Sequence, residues 1–439
     1  MTYAPNSDAR RRDARAPQPT TFRRRRIIAI GAAVAVVVLV VGTIVFFATK
    51  ADRDALNAYS NAEGDLQAAQ LRTVEAQQHV VTLLDNAVAV AASATTLASS
   101  TGPGYVDDPA TITAVGAAST ALAEAAGLVV TDGVAAAPEV SPVEDLGTLN
   151  APAGNDERIA AAAALTARVP AFDEATAAFT TQAEEIRAVI ETARTSMDAV
   201  ISSAHTSGST WALPPLASAE TVAAYTAAVD ALAAPVEDAD PVALIAAYQD
   251  AWLAGIASHE AVARTQDTVS EPTLIRGILI ANKTYALPSD YGTGLTAETS
   301  DAFASMKAAA AAQGLNLYIS SGFRSYSTQV GLYNKYAAND GVAEADRYSA
   351  RPGHSEHQTG LTFDLNTITE AFGSTPAGLW VAAHGHEYGF IVRYPQGGEA
   401  ITGYKWEPWH MRFLGVDVAT KVFNSGLTLE EYLGITSSY

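Results

Sequence analysis

The order of apolar and polar residues divides the chain into distinct stretches. Ile27 to Ala48 are 22 positions without a charge, rich in Val, Ile, Ala and Phe. As a helix they would be about 33 Å long, enough to cross a hydrocarbon core of about 30 Å. From 51 to 98 apolar residues fall three to four apart at Leu56, Tyr59, Leu66 and Ala69, then cluster at Val80, Val81, Leu83 and Leu84. No proline lies between Pro19 and Pro103, so one long helix or two broken ones are expected. Gln70 and Gln77 fall where a heptad needs apolar residues, which argues against a regular coiled coil. Proline- and glycine-bearing breaks at Thr101–Pro109, Pro138–Gly154 and Ser207–Pro215 separate further helical stretches near 111–127, 157–205, 217–233 and 241–266. They share no fixed period, so no solenoid is expected. After Pro272 the pattern changes. Leu315, Leu317 and Ile319 alternate with Asn316, Tyr318 and Ser320, predicting short strands.

Charge sharpens this division. Residues 1–50 carry a net +7, residues 51–270 a net −22 and residues 271–439 a net −5. Arg23 to Arg26 abut the apolar stretch, with Arg10, Arg11, Arg12 and Arg15 further back. Basic residues stay cytoplasmic, which predicts a signal anchor with its N-terminus inside and the rest of the chain outside. The apolar core is longer than that of a cleaved signal, and Thr49-Lys50-Ala51-Asp52 is a poor cleavage site. The overall charge of −20 disfavours nucleic acid as a partner. With no cysteine, disulfides, thiolate metal sites and thiol catalysis are excluded.

The middle region offers no chemistry: His79, His205 and His259 lack ligand-like spacing and read as surface residues. By contrast, five of the eight histidines fall between 354 and 410. Three segments stand out: Ser321-Gly322-Phe323-Arg324-Ser325, followed by Gln329 and Tyr333; Ser355 to Asp364, containing His357; and Glu407-Pro408-Trp409-His410. Two imidazoles and a carboxylate are candidate metal ligands, with a spare carboxylate beside one of them. Three N/O ligands plus an open position is the recurring arrangement of hydrolytic zinc. His357 and Asp364 are seven apart and would face opposite ways on one straight strand. A turn at Gln358-Thr359-Gly360 removes that objection and leaves Phe363 and Leu365 on the other face. Glu407 and His410, three apart, need a bulge or turn, which Pro408 makes plausible.

These segments resemble the VanY-type D-alanyl-D-alanine carboxypeptidases, zinc peptidases that trim peptidoglycan stem peptides. The family's S-x-H-x-x-G-x-A-x-D pattern matches at Ser355, His357, Gly360 and Asp364, with Thr362 in place of Ala. Its E-x-W-H box matches at Glu407, Trp409 and His410, and its S-G-[YF]-R-S segment at Ser321 to Ser325. Tyr388 to Pro395 and Asn282-Lys283…Leu287-Pro288 are also similar, so the resemblance covers roughly 275–420. It implies an α+β Hedgehog/D,D-peptidase domain in which an antiparallel sheet carries the zinc. His357, Asp364 and His410 would be the zinc ligands and Glu407 the general base, passing a proton from water to the leaving D-Ala amine. Arg324 would neutralise oxyanion charge or hold substrate, and Gln329 and Ser355 would contact the terminal residue. Glu356 adjoins a ligand but should point away if His357 points inward. Trp409 and Tyr394 are expected as pocket walls, and His354, His384 and His386 as supporting or surface residues.

The expected organisation is a basic cytoplasmic tail (1–26), a transmembrane anchor (27–48), an acidic helical stalk or bundle (51–270) and a zinc carboxypeptidase domain (271–439) facing the cell wall. Alternatives are an L,D-carboxypeptidase or endopeptidase on the same wall peptides, or a wall-binding sensor without activity.

Overall fold

The computed structural model describes residues 50–439 apart from 132–133, 235–238 and 266–268. The stretch expected to anchor the chain, 27–48, lies outside the described residues. The chain groups into two compact units.

The first unit comprises the described residues up to Val80 together with Val140–Gln182. It is built on the first parts of two long helices, α1 (Lys50–Ser100) and α3 (Asn155–Thr210). Tyr59, Ala62, Leu66 and Ala69 pack against Ala162, Leu165 and Phe172. Thr73 continues the buried stripe, its hydroxyl bonded to the Phe172 carbonyl at 3.0 Å and to Thr176 at 2.9 Å. Gln70 and Gln77 donate to the carbonyls of Glu144 and Ser141, so they satisfy the backbone of a strand-free connection instead of breaking the helix. Pro170 lies within α3, which continues past it. By length and composition Asp52–Ser100 is apolar enough to cross a membrane. Within this unit, however, its buried residues are used in packing against Ala162, Leu165 and Phe172.

The second unit comprises Val81–Glu139 and Ala183–Tyr439. Its helical part adds α2 (Ala110–Ala125), a hairpin of β1 (Val129–Thr131) and β2 (Val134–Ala136), α4 (Ala219–Ala233) and α5 (Pro241–Ala263). α5 is joined to the mixed region that follows. The Trp252 indole donates to the Leu433 carbonyl at 2.9 Å, and Glu260 accepts from Tyr285 Oη at 2.9 Å and Thr436 N at 2.8 Å. Arg276 lies over Trp211, Trp252 and Tyr105, 4.0, 4.6 and 4.7 Å from their ring centres. His259, expected at the surface, is buried: it stacks on Tyr285 and its Nδ1 accepts from Leu216 N at 3.2 Å.

The mixed region opens with a hairpin, β3 (Thr273–Ile275) and β4 (Ile278–Ile280), and with α6 (Ala297–Ala312). Its sheet has four antiparallel strands, β5 (Ile319–Ser321), β6 (Thr362–Leu365), β7 (Phe390–Tyr394) and β8 (Glu407–Phe413), in the order β5-β6-β8-β7. α7 (Tyr326–Asp340) follows β5 and α8 (Pro376–His384) precedes β7. Further on, α9 (Val416–Ser425) and α10 (Leu429–Leu433) follow β8. One sheet face is sealed by Met306, Leu317, Phe363, Leu365, Phe390 and Met411. The alternation expected to make a strand of 315–320 yields pairing only at Ile319–Ser321. Asn366 occupies Tyr318 instead, accepting from its N–H through Oδ1 and donating its own N–H to the Tyr318 carbonyl.

Gly360 ends the turn Glu356–Thr359 at φ +73°. A Cβ there would stand 2.3 Å from the Gly294 carbonyl oxygen, so both conformation and space demand glycine. Gly360→Ala is therefore expected to cost about 2 kcal/mol or more and lower the thermal midpoint by several degrees. Calorimetry of the purified chain checks it.

Candidate metal centre and active site

β6 and β8 pair with Asp364 directly opposite His410. Opposed residues on neighbouring strands project to the same face with Cβ atoms about 4.5–5.5 Å apart. The adjacent pair, Phe363 and Met411, takes the other face and is fully buried in the core. His357 comes from the turn before β6. Its Nδ1 is 2.7 Å from the Gly322 carbonyl, and the Arg324 N–H donates to the His357 carbonyl at 3.2 Å. The Ser321–Ser325 segment thus clamps the histidine turn, which explains why both are needed at one site. His357 Nε2 is left 3.3 Å from Asp364 Oδ2.

Between the pairs Val392↔Met411 and Tyr394↔Glu407, β7 advances two residues and β8 four. The surplus on β8 is a bulge across Pro408–His410, and it turns Glu407 and His410 toward one centre. His410 Nδ1 lies 3.2 Å from Glu407 Oε2 and 3.4 Å from Asp364 Oδ1.

One donor atom each from His357, Asp364 and His410 lies within 4.8 Å of the others, and all three residues are buried. Asp364 Oδ1 has no hydrogen-bond partner although it is shielded from solvent. A cation among the three donors would remove that cost, and a two-imidazole, one-carboxylate set suits zinc. The group can hold a metal ion. Burial alone would raise the Asp364 carboxyl, but His357 and His410 outweigh it and hold it well below the usual range. Burial works against a charged His410, yet the neighbouring carboxylates of Asp364, Glu356 and Glu407 push its imidazole well above its ordinary value.

The centre opens on a cavity of about 310 Å³ whose walls include Arg324, Ser355, Tyr336, Tyr348, Glu407 and Trp409. The Arg324 guanidinium is aimed by Gln329 Oε1 at 3.0 Å and Ser321 Oγ at 3.3 Å. No carboxylate pairs with it among the described residues. Gln329, expected at the substrate, does not line the cavity. It is buried behind Arg324, with its amide nitrogen donating to the Ala350 carbonyl and Ser349 Oγ. Ser355 is buried at the wall. The Tyr394 ring stands 4.7 Å from His410. His354 bonds the Asn282 carbonyl, His384 pairs with Glu387, and His386 stacks on Phe423.

Sequence reasoning missed the ions beneath the site. Glu356 does not face outward; it is buried beside the far edge of His410, with Arg393, Arg412 and Glu430 around it. The signal was present in β7, where Arg393 interrupts an otherwise apolar run.

A buried two-histidine, one-aspartate centre with an adjacent glutamate in an open cavity suits a metal-dependent hydrolase. The profile of the VanY D-alanyl-D-alanine carboxypeptidases matches residues 292–416. YodJ of Bacillus subtilis (strain 168) is 37% identical over 191 residues, covering 38% of this chain and 69% of that protein. The chain belongs to the VanY family, whose members are peptide-hydrolysing enzymes. Among solved structures, the L,D-carboxypeptidase DacB of Streptococcus pneumoniae is similar at 44% identity, covering 37% of this chain and 88% of that one, with a TM-score of 0.34. The D,D-pentapeptidase VanY of a VanB-type resistance cassette, solved with Zn(II), is similar at 31% identity over 35% and 97%, with a TM-score of 0.32.

Elemental analysis of the purified chain should find about one zinc. His357→Ala and His410→Ala should each lose it, since two remaining protein ligands bind far more weakly. Full zinc in His410→Ala would remove that residue from the ligand set.

Proposed function

We propose that the chain is a membrane-anchored zinc D-alanyl-D-alanine carboxypeptidase that removes the terminal D-Ala from peptidoglycan stem peptides. The observation that carries this reading is Glu407 Oε2 at 3.2 Å from His410 Nδ1, the nitrogen on the side of the other two donors. Family membership and the motif order support it. On this reading 271–439 is the catalytic region, with a Hedgehog/D,D-peptidase fold, and 51–270 a spacer. Residues 27–48 are the anchor, with 1–26 cytoplasmic and the cavity facing the wall.

Zinc held by His357, Asp364 and His410 would supply Lewis acidity, acidifying a water and polarising the scissile carbonyl. Glu407 takes the proton from the attacking water and delivers it to the amine of the departing D-Ala. Arg324, with its fork aimed by Gln329 and Ser321, offers planar donors to the substrate carboxylate or to the developing oxyanion. Ser355 contributes a hydroxyl at the wall. Trp409, Tyr336 and Tyr348 exclude water around the peptide.

Glu407→Gln preserves shape and leaves the three ligands in place. It should keep zinc while D-Ala release falls by two or more orders of magnitude, the size of a general acid–base contribution. Retained zinc with parental turnover would remove Glu407 as base, and loss of zinc would make it a ligand. Arg324→Lys keeps the charge but not the fork, and turnover should drop substantially. Unchanged kinetics on D-Ala-D-Ala peptides would make Arg324 structural.

A further inference from the structure

A histidine that ligates metal through one ring nitrogen needs the proton held on the other. For His357 the Gly322 carbonyl, 2.7 Å from Nδ1, does this. For His410 the problem is harder. Its Nδ1, on the side of the other donors, faces two carboxylates, Glu407 Oε2 at 3.2 Å and Asp364 Oδ1 at 3.4 Å. Both are acceptors. They favour keeping the neutral imidazole's proton on Nδ1, the form that cannot ligate there.

On the opposite edge, Nε2 makes no close hydrogen bond, and the carboxylate beside it is Glu356 Oε2 at 3.4 Å. Glu356 is held in place. Its Oε1 accepts from Arg393 Nε at 2.8 Å and Arg412 Nη1 at 2.9 Å, while Oε2, which takes one long bond from the Thr362 hydroxyl at 3.5 Å, keeps a lone pair for the imidazole. Glu430 in turn takes Arg393 Nη1 at 2.7 Å, and Arg412 also reaches the Leu279 carbonyl. The side chains of Glu356, Glu430, Arg393 and Arg412 are at most 1% exposed, two anions against two cations. Such a cluster costs several kcal/mol per ion in desolvation, and apolar residues of similar volume often serve stability as well. It does deliver one charged oxygen at a fixed point behind His410.

We infer that Glu356 is a positioning residue: it accepts the Nε2 proton of His410, fixes the tautomer that frees Nδ1 for the metal, and so sets zinc affinity. The inference rests on the zinc reading above and deepens it. Arg393 and Arg412 act through Glu356 by fixing its other oxygen. Glu430 steadies Arg393 without reaching the histidine.

The test measures the zinc dissociation constant by chelator competition, and the His410 tautomer by ¹⁵N NMR, on the purified full chain. In the parent, Nδ1 should be metal-bound and Nε2 protonated. In Glu356→Gln the arginines retain the amide oxygen, so the NH2 group confronts Nε2 and favours the wrong tautomer. Zinc affinity should fall 10- to 100-fold. Should that variant fail to fold, Glu356→Asp keeps the charge between the arginines and withdraws the carboxylate by roughly 1.5 Å. It should weaken zinc in the same direction. Glu430→Gln perturbs the cluster without touching His410 and should lower the thermal midpoint while leaving affinity within about threefold. The inference is overturned if a folded Glu356 variant binds zinc like the parent, or if Glu430→Gln weakens zinc as much. Coordination through Nε2 in the parent overturns it whatever the variants do. A parent that binds no zinc instead sinks the zinc reading, and this inference with it.

Discussion

The pairing of β6 with β8 is the constraint from which the site follows. It sets Asp364 against His410 on one face and Phe363 against Met411 on the other. Side chains alternate with period two, so a slip of one residue would send the carboxylate into the core and Phe363 into the cavity. Burial of the apolar pair thus fixes the placement of Asp364 and His410, so the site and the packing cannot be altered separately. A bulge on β8 against β7 interrupts the pairing on its other side, and it lets Glu407 join His410 from three residues away.

Electrostatics sets a second limit. His357, Asp364, His410, Glu356, Arg393 and Arg412 are all at most 5% exposed, and within this group carboxylates and cations or imidazoles interleave. Arg393 and Arg412 pull Glu356 well below the ordinary carboxylate range against the opposing effect of burial. The same two cations neutralise Glu356 behind His410, while Arg324 at the cavity wall pairs with no carboxylate among the described residues. Arg393 and Arg412 thus serve the buried ion cluster, and Arg324 lines the cavity.

Much of this was legible in the sequence. His357, Asp364 and His410, which the fold brings together as a group that could hold a metal ion, and Glu407 beside them were singled out because each lies in a short motif, and the helices because helical periodicity and proline breaks are local. The expected stretches near 111–127, 157–205, 217–233 and 241–266 correspond to Ala110–Ala125, Asn155–Thr210, Ala219–Ala233 and Pro241–Ala263. What escaped depends on partners far along the chain. Gln70 and Gln77 looked like heptad defects because Ser141 and Glu144, which accept their bonds, lie more than 60 residues away. His259 was read as surface because Tyr285 and Leu216 were not known to be its neighbours. Gln329 follows the arginine segment closely, yet its direction is set by Ser349 and Ala350. Glu356 was judged by strand alternation, but it sits on a turn, where period-two reasoning does not apply.

The most direct measurement is the product pattern from synthetic penta- and tetrapeptide stems incubated with the zinc-loaded chain and read by mass spectrometry. The account predicts that the pentapeptide loses one alanine, that the tetrapeptide stays intact, and that a chelator abolishes the change. Trimming of the tetrapeptide with the pentapeptide untouched would contradict the assigned bond, and release that persists in chelator would contradict the metal centre itself.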